Sequence, residues 1–266
     1  MTPLKPLYTG ENCSAAYQLN WSLSLFGRES LPPACQWGGL LAQATEADGV
    51  RVLEQRLTKP DLVQLFLSSK PDVAPSHIVR SVKGRLQYLL RDQTPRAFRR
   101  NYRIESVGAA NSRSLGKYVA GQAQRHPMVD PRVQKRLEAL QFHDPHVDLD
   151  RMRYSSHGQF IYNLQVVLEN AEGWHEVDGA TLLAAREMVI RSARAKGYLL
   201  SRIGVLSNHF HIALGCDVEA RPADVALSFM NNIAYLRKMR AVLRFSFYVG
   251  TFGPYDRNAI RRVLGG

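Results

Sequence analysis

The chain has 266 residues, of which 45% are hydrophobic, and a formal net charge of +12. This length and apolar content allow one large domain or two smaller ones, each with its own core. The three cysteines are too widely spaced for a zinc site or a disulfide framework, and no apolar run approaches the roughly 18 residues of a membrane span. The charge favours a polyanionic partner, either nucleic acid or an acidic membrane surface, and the cysteine usage indicates a reducing cytoplasm.

The first half of the chain predicts the order strand, helix, strand, strand, helix, strand, helix. Alternating apolar and polar residues indicate strands, and apolar residues three and four positions apart indicate helices. In chain order we expect a strand at 17–25, a helix at 36–47, strands at 50–57 and 62–67, a helix opening at Ser76, a strand at 102–107 and a helix through Leu115, Tyr118 and Gln122.

The second half repeats this order. We expect a strand at 160–168, a helix through Leu182 and Ala193, a strand from Gly197, a strand containing His209 and His211, a helix from about Ala223, a strand at 243–249 and a final turn or helix at 257–264. Leu62-Val63-Gln64 aligns with His209-Phe210-His211 at an offset of 147 residues, and Val107-Gly108 aligns with Val249-Gly250. The shared order and spacing favour an internal duplication.

The predicted domains are residues 15–125 and 158–266, joined by a linker at 126–157. The linker holds prolines, aspartates and two histidines, His143 and His146, which we interpret as solvated rather than as a metal cluster. Each half has the order β-α-β-β-α-β, which is typical of a ferredoxin-like domain with an antiparallel sheet and helices on one face. The predicted fold class is therefore α+β.

The pair His209 and His211 is the strongest chemical signal in the sequence. Alternate residues of a strand share a face, so the two imidazoles point together while Phe210 points into the core. Two such rings, about 7 Å apart along the strand, can bind one divalent metal ion. They are also compatible with ordinary histidines on the surface of a sheet, and as a metal site they are incomplete.

With its elements placed, the chain resembles the single-tyrosine HUH transposases of bacterial insertion sequences, a group that includes the REP-associated tyrosine transposases. The stretch from Gly197 to Leu214, ending in Ser-Asn-His-Phe-His-Ile-Ala-Leu, is similar to the family's signature strand pair. Residues 102–108 followed by 115–122 are similar to its tyrosine segment. The resemblance implies two ferredoxin-like (RRM-like) HUH domains, Tyr118 as nucleophile, and His209, His211 and Gln122 as ligands of Mg²⁺ or Mn²⁺.

The two halves depart from the family pattern in complementary ways. Leu62 and Gln64 stand where the family has histidines, and Val263 stands where a second tyrosine is expected. Because the family shares its active sites across a homodimer, this pattern suggests a single-chain pseudo-dimer with one composite site, for which no further homo-oligomer is required. Tyr235 and Tyr255 are rival nucleophiles in the second half.

The resemblance implies a metal-dependent single-stranded DNA endonuclease and strand transferase. Such an enzyme would recognise hairpin DNA, cleave through a 5′-phosphotyrosine, and work in the cytoplasm at the nucleoid. Two alternatives stay open, a domesticated hairpin-binding protein that does not cleave and an unrelated basic RNA-binding tandem whose histidines are structural. The predicted phosphate contacts come from basic residues on two segments of the first half and one of the second: Arg80, Lys83, Arg85, Arg99, Arg100, Arg237, Lys238 and Arg240.

Overall fold

The computed structural model describes residues 5–171, 179–236 and 238–265, with side chains as far as residue 262. Its strands are β1 Ser14–Gln18, β2 Asn20–Gly27, β3 Val50–Lys59, β4 Leu62–Ser69, β5 Phe98–Val107, β6 Phe142–His143, β7 Arg153–Tyr154, β8 Gly158–Ile161, β9 Asn163–Asn170, β10 Leu199–Val205, β11 His209–Gly215 and β12 Leu243–Phe252. Its α-helices are α1 Gly38–Glu46, α2 Pro75–Leu90, α3 Ser112–Ala120, α4 Gln122–Arg125, α5 Pro131–Leu140, α6 Gly179–Ala195, α7 Pro222–Leu236 and α8 Arg257–Gly265.

The strands form two six-stranded sheets. The first sheet has the order β3-β4-β2-β5-β8-β7 and the second has the order β1-β12-β9-β11-β10-β6. Within each sheet, four strands from one half of the chain are antiparallel neighbours in the ferredoxin-like arrangement, with the first and third strands in the centre. The predicted α+β class with two ferredoxin-like units is confirmed.

Equivalent positions in the two sheets follow from the strand register. Gln64 lies opposite Ser24 and His211 lies opposite Val167, which reproduces the predicted alignment of Gln64 with His211. Gly49 and Gly197 both have positive φ, at 73° and 69°, where each half turns into its second ferredoxin-like strand, β3 or β10. Only glycine adopts that conformation without a steric penalty.

The predicted alignment of Val107 with Val249 is wrong by three residues. In the sheets Val107 lies opposite Asn20, and the corresponding partner of Asn163 is Phe252. Strand β12 begins at Leu243, but its pairing with β9 becomes regular only from Phe247, because an irregularity lies between these two residues. The sequence shows no sign of that irregularity.

Beside the predicted antiparallel strands, each sheet has one parallel pairing that was not predicted, because each half lends one strand to the other half's sheet. Strand β1 pairs in parallel with β12, and β8 pairs in parallel with β5. Both exchanged strands precede the first central strand of their own half. The exchange pairs the outer edge of β5 and of β12, which would otherwise be exposed.

The two halves also exchange hydrogen bonds where they cross. The Ser106 hydroxyl donates to the carbonyl of Phe252 at 2.6 Å, and the Thr251 hydroxyl donates to the carbonyl of Val107 at 2.7 Å. Beyond this crossing α3 packs against the second sheet, while α8 packs against β3 and β4 of the first. Each half therefore places its last helix on the other half's sheet.

Residues 126–157, predicted as a linker, contain ordered structure. Helix α5 buries Val133, Leu137 and Leu140, and it packs against α6 and β10. Strand β6 extends the second sheet by pairing with β10. The domain boundaries stay a prediction. None of the helices in the described residues combines the length and the apolar character that a bilayer crossing requires.

Candidate metal and tyrosine site

The two histidines of β11 converge on the face of the second sheet that α3 covers. Their Nε2 atoms are 3.0 Å apart. His211 is buried and His209 is partly buried, while Phe210 between them is fully buried on the opposite face. The structure therefore has both histidines on one face of the strand, as the sequence predicted.

Polar neighbours orient both rings from their far sides. The Asn208 side-chain oxygen lies 2.7 Å from Nδ1 of His209. When that nitrogen carries the proton, Nε2 of His209 keeps a free lone pair. The Gln165 amide lies 3.2 Å from Nδ1 of His211. An amide can present its oxygen or its nitrogen, so Gln165 is able to hold either tautomer of His211. Such outer hydrogen bonds aim imidazoles at a metal ion.

The environment keeps both imidazoles neutral at ordinary pH. Burial lowers the pKa of His211 to about 4, with smaller contributions from the neighbouring His209 and His126. Burial also lowers the pKa of His209, helped by His126 and opposed by Glu169. Neutral rings with free lone pairs are the form that binds metal ions.

Tyr118 approaches this pair from the other half of the chain. Asn111 caps the N-terminus of helix α3, because its side chain accepts a hydrogen bond from the backbone N–H of Ser114 at 2.9 Å. Leu115 and Val119 are buried against Ala213 and Phe252 of the second sheet.

The Tyr118 ring meets the His211 ring edge to face, with centroids 5.4 Å apart, and it is 37% exposed. Gly204 permits this approach, because a Cβ at that position would lie 3.2 Å from Cγ1 of Val119 and 3.5 Å from Cβ of His211. The tyrosine is thus close to the histidines and open to solvent, as a nucleophile that reacts with a large substrate must be.

The four-residue spacing predicted that Gln122 and Tyr118 lie on one continuous helix. The structure instead interrupts the helix between them. Helix α3 ends at Ala120, Gly121 interrupts it, and Gln122 opens the short helix α4. Gln122 is fully buried, and neither atom of its side-chain amide has a hydrogen-bond partner. An unpartnered buried amide is costly, so a bound ligand or an ordered water molecule would stabilise it.

Like Asn208 and Gln165, Arg125 and His126 were not predicted as residues of this site. The guanidinium of Arg125 lies 5.3 Å from the centroid of the Tyr118 ring, and the His126 ring lies 6.1 Å from that of His209. Tyr118 precedes Gln122 by four residues and His126 follows it by four, so the chain approaches the histidine pair on either side of Gln122. Nothing in a single sequence marks these residues, because their partners are more than 80 positions away or on another helix.

The remaining candidates lie elsewhere. Tyr235 and Tyr255 are exposed, and Tyr235 is on α7, which packs on the opposite face of the second sheet. Gln64, at the position equivalent to His211, has its amide nitrogen 3.4 Å from the hydroxyl of Ser22. The side chain of Val263 lies outside the described residues, although α8 includes its backbone. The structure therefore brings together Tyr118, His209 and His211, with Gln122 buried four residues after Tyr118.

The basic residues predicted to contact phosphate are not part of this cluster. Lys83 donates to the carbonyl of Arg100 at 2.8 Å, Arg85 forms an ion pair with Asp48 at 3.1 Å, and Arg99 donates to the carbonyl of Gly27 at 2.9 Å. The side chains of Arg80, Arg100, Lys238 and Arg240 are exposed, and Arg237 lies outside the described residues. Their role in DNA binding stays a prediction.

Comparison with known proteins links the first half of the chain to one family. Residues 36–122 match the family model described as "Transposase IS200 like", which confirms the resemblance seen in the sequence. The match includes Tyr118 and Gln122 but ends before the histidine strand. The comparison with curated proteins finds no match.

Solved structures that match part of this chain include two described as transposases. One, from Deinococcus radiodurans R1, is 17% identical, with a TM-score of 0.32 over 40% of this chain and 92% of that one. The other is a REP-associated tyrosine transposase bound to a REP hairpin, 9% identical, with a TM-score of 0.32 over 39% of this chain and 62% of that one.

Proposed function

We propose that this chain, whose residues 36–122 are similar to the IS200-like transposases, is a metal-dependent single-stranded DNA endonuclease and strand transferase. Its substrate would be hairpin-forming DNA, and cleavage would pass through a 5′-phosphotyrosine on Tyr118. The observation that carries this proposal is the contact between the Tyr118 and His211 rings, 5.4 Å apart, made by residues from opposite halves of the chain.

The residues present fit a divalent metal ion. Two ligand atoms held about 2.1 Å from one ion at right angles are about 3.0 Å apart, and the two Nε2 atoms have that separation. The unpartnered Gln122 amide supplies a third donor from the tyrosine side. In the described part of the chain no group of three or more His, Cys, Asp or Glu side chains could hold a metal ion, so the amide is needed. Imidazole nitrogen with amide oxygen suits Mn²⁺ or Mg²⁺.

When bound, the ion would polarise the scissile phosphate. The side chains supply the rest of the reaction. The Tyr118 oxygen forms a bond to phosphorus, the bond from phosphorus to the 3′-oxygen breaks, and the tyrosine proton is balanced by protonation of the leaving 3′-OH. The Arg125 guanidinium lies beside the Tyr118 ring, where its positive charge stabilises negative charge on the attacking oxygen. Attack by another 3′-OH reverses these steps and rejoins the strand without a nucleotide cofactor.

An internal duplication with a single composite site is part of the proposal. The reciprocal bonds of Ser106 and Thr251, which are 145 positions apart, support it. The exchanged strands β1 and β8 support it as well. On this proposal the halves are residues 15–125 and 158–266, they act as an intramolecular pseudo-dimer, and the protein works at the nucleoid.

The test is cleavage of an end-labelled DNA hairpin with a single-stranded flank, with and without Mg²⁺ or Mn²⁺. We expect a metal-dependent nick and a covalent adduct of the chain with the 5′ fragment. Binding without any nick under these conditions would contradict the proposal and favour a hairpin-binding protein that has lost cleavage.

The unpartnered amide gives a prediction that does not depend on activity. Gln122→Leu should stabilise the metal-free protein by about 1 kcal/mol, because two buried polar atoms without partners are removed. It should also weaken Mn²⁺ binding by about tenfold. Thermal unfolding in a chelator and Mn²⁺ titration measure the two effects.

Gln141→Leu is the matched control. The Gln141 amide donates to the carbonyls of Leu137 and Val205 and accepts from the N–H of Val205, so its loss should destabilise the protein without changing Mn²⁺ affinity. Equal destabilisation by both substitutions would show that Gln122 has a partner after all.

The lowered histidine pKa values predict a metal affinity that is insensitive to mild acid. Protons compete with the metal only near and below the pKa of each ring, and burial brings the pKa of His211 down to about 4. Between about pH 7.5 and 5.5 two ordinary imidazoles would lose about tenfold in affinity each. We expect less than about tenfold in total by calorimetric Mn²⁺ titration, and a loss of a hundredfold would contradict the buried geometry.

A further inference from the structure

A groove runs along the flank of α3 that faces away from Tyr118. It has a volume of about 420 Å³ and lies between α3, strand β10 and the segment 147–150. Gly116 and Ala120 line its α3 side, and Ala213 of β11 lines its floor. The proposed cleavage reaction makes no use of this groove.

Three cations line the groove without partners. Arg113, Lys117 and Arg202 have no hydrogen bond or ion pair anywhere in the described part of the chain. The acidic groups of the lining are engaged instead, since Asp150 accepts from the Ser112 hydroxyl at 2.5 Å and Asp148 accepts from the N–H of Asp150 at 2.9 Å. His143 also lines the groove. These hydrogen bonds leave both carboxylates charged, so the lining carries three positive and two negative side chains, and its excess charge is positive.

Arg202 is the most confined of the three. It is half-buried, and its burial lowers the pKa of the guanidinium, whereas Arg113 and Lys117 are exposed. A partly buried cation that has no counter-ion gains from pairing with an anion, which favours an anionic ligand for this groove. Guanidinium groups hold phosphate oxygens through paired N–H donors.

The equivalent place on the first sheet carries the opposite charge. Arg202 pairs with Ala213 directly after an irregularity in β10, and Glu54 pairs with Phe66 directly after the same irregularity in β3. Glu54 is therefore the counterpart of Arg202, and Phe66 is the counterpart of Ala213.

An ion pair closes the space on the first sheet. Leu115 and Ile260 are the corresponding buried residues of α3 and α8, so Arg261 is the counterpart of Gly116. Arg261 Nε lies 2.8 Å from Glu54 Oε1, and its guanidinium lies 5.7 Å from the Phe66 ring. On the second sheet a glycine, an alanine and an arginine replace these three residues. The space is open there and its cation is unpaired.

We propose that this groove binds a backbone phosphate of the single strand that passes Tyr118, with Arg202 as the main contact and Lys117 and Arg113 at its rim. The inference rests on the proposed function for the identity of the ligand. A helix is about 10 Å across, so a flexible strand that reaches Tyr118 on one flank of α3 can reach Arg202 on the other within a few nucleotides. The groove thus holds the strand on both sides of the nucleophile.

The test is binding of a labelled hairpin with a single-stranded tail, measured without metal across about 50 to 200 mM salt. We expect Arg202→Gln to weaken binding roughly tenfold and to reduce the magnitude of the logarithmic salt slope by about 0.7 to 0.9, the value for one phosphate contact. Arg194→Gln, an exposed arginine of α6 on the opposite face, should change neither quantity.

A double variant separates loss of the contact from loss of the fold. Gly116→Arg with Arg202→Glu rebuilds the ion pair of the first sheet, and a Cβ at Gly116 comes no closer than 3.4 Å to the Arg202 side chain. We expect an unfolding temperature at least equal to that of the wild type, since a helical glycine is replaced. We also expect weakened tail binding like that of Arg202→Gln.

Affinity and salt slope unchanged within twofold in Arg202→Gln would overturn the proposal. A second outcome would also overturn it: inorganic phosphate stabilises the wild type but not Arg202→Gln, while oligonucleotide binding is the same in both. The groove would then bind a free anion and not the DNA strand. Because no metal is present, the result is independent of cleavage. If the protein fails to nick DNA but needs Arg202 for tail binding, the phosphate-binding proposal holds and the proposed cleavage activity is wrong.

Discussion

Tyr118→Phe is expected to eliminate the covalent DNA adduct and to reduce nicking by a factor of about 10⁴ or more. The substitution removes one oxygen atom and keeps the ring that contacts His211 and Arg125. Hairpin affinity and unfolding temperature should therefore equal those of the wild type. Denaturing gels of end-labelled hairpin measure the nick, and mass spectrometry of the intact chain measures the adduct.

Tyr235→Phe is the matched control for this experiment. Tyr235 is more exposed than Tyr118, at 59%, but it belongs to α7 on the other face of the second sheet. We expect full activity from that variant. If Tyr118→Phe cleaves like the wild type, the composite site is wrong, and loss of cleavage in Tyr235→Phe would move the nucleophile to α7.

Gly253→Ala should cause the largest loss of stability of any single methyl addition proposed for this chain. A Cβ on Gly253 would lie 2.1 Å from the carbonyl oxygen of Ser106, which is backbone and unable to rotate away. Overpacking of this kind costs about 3 kcal/mol or more. For a chain of this size that corresponds to a fall of roughly 6–12 °C in the unfolding temperature.

The position of Gly253 makes the damage functional as well. Its carbonyl accepts the N–H of Ser112 at the start of α3, so displacement of Gly253 also shifts the helix that carries Tyr118. Gly84→Ala is the control, because nothing lies within 4 Å of a Cβ on this exposed helical residue. We expect Gly84→Ala to stabilise the protein by about 0.5–1 kcal/mol. An unchanged unfolding temperature in Gly253→Ala would mean that the crossing is loosely packed.

Some residues of the candidate site could be predicted from the sequence, and others could not. The shared face of His209 and His211 followed from the two-residue period of a strand, and the proposed role of Tyr118 followed from the resemblance of residues 102–108 and 115–122 to the tyrosine segment of the family. Asn208, Gln165, Arg125 and His126 were not predicted as site residues. Gln165 reaches His211 only because β9 and β11 are neighbours, and strand order is not visible in the alternation of one strand.

The sequence by itself determined the local geometry of this protein. Periodicity established the element order and the ferredoxin-like units, and it placed the two imidazoles together, because these features depend on backbone period and on which face is apolar. Tertiary structure alone decided how the halves meet. The exchanged strands, the crossing at Gly253, the isolated amide of Gln122 and the open groove beside Arg202 depend on contacts between residues from opposite halves or on the shape that those contacts leave. No periodic pattern specifies such contacts, since they arise from complementary packing of surfaces that are each compatible with other partners.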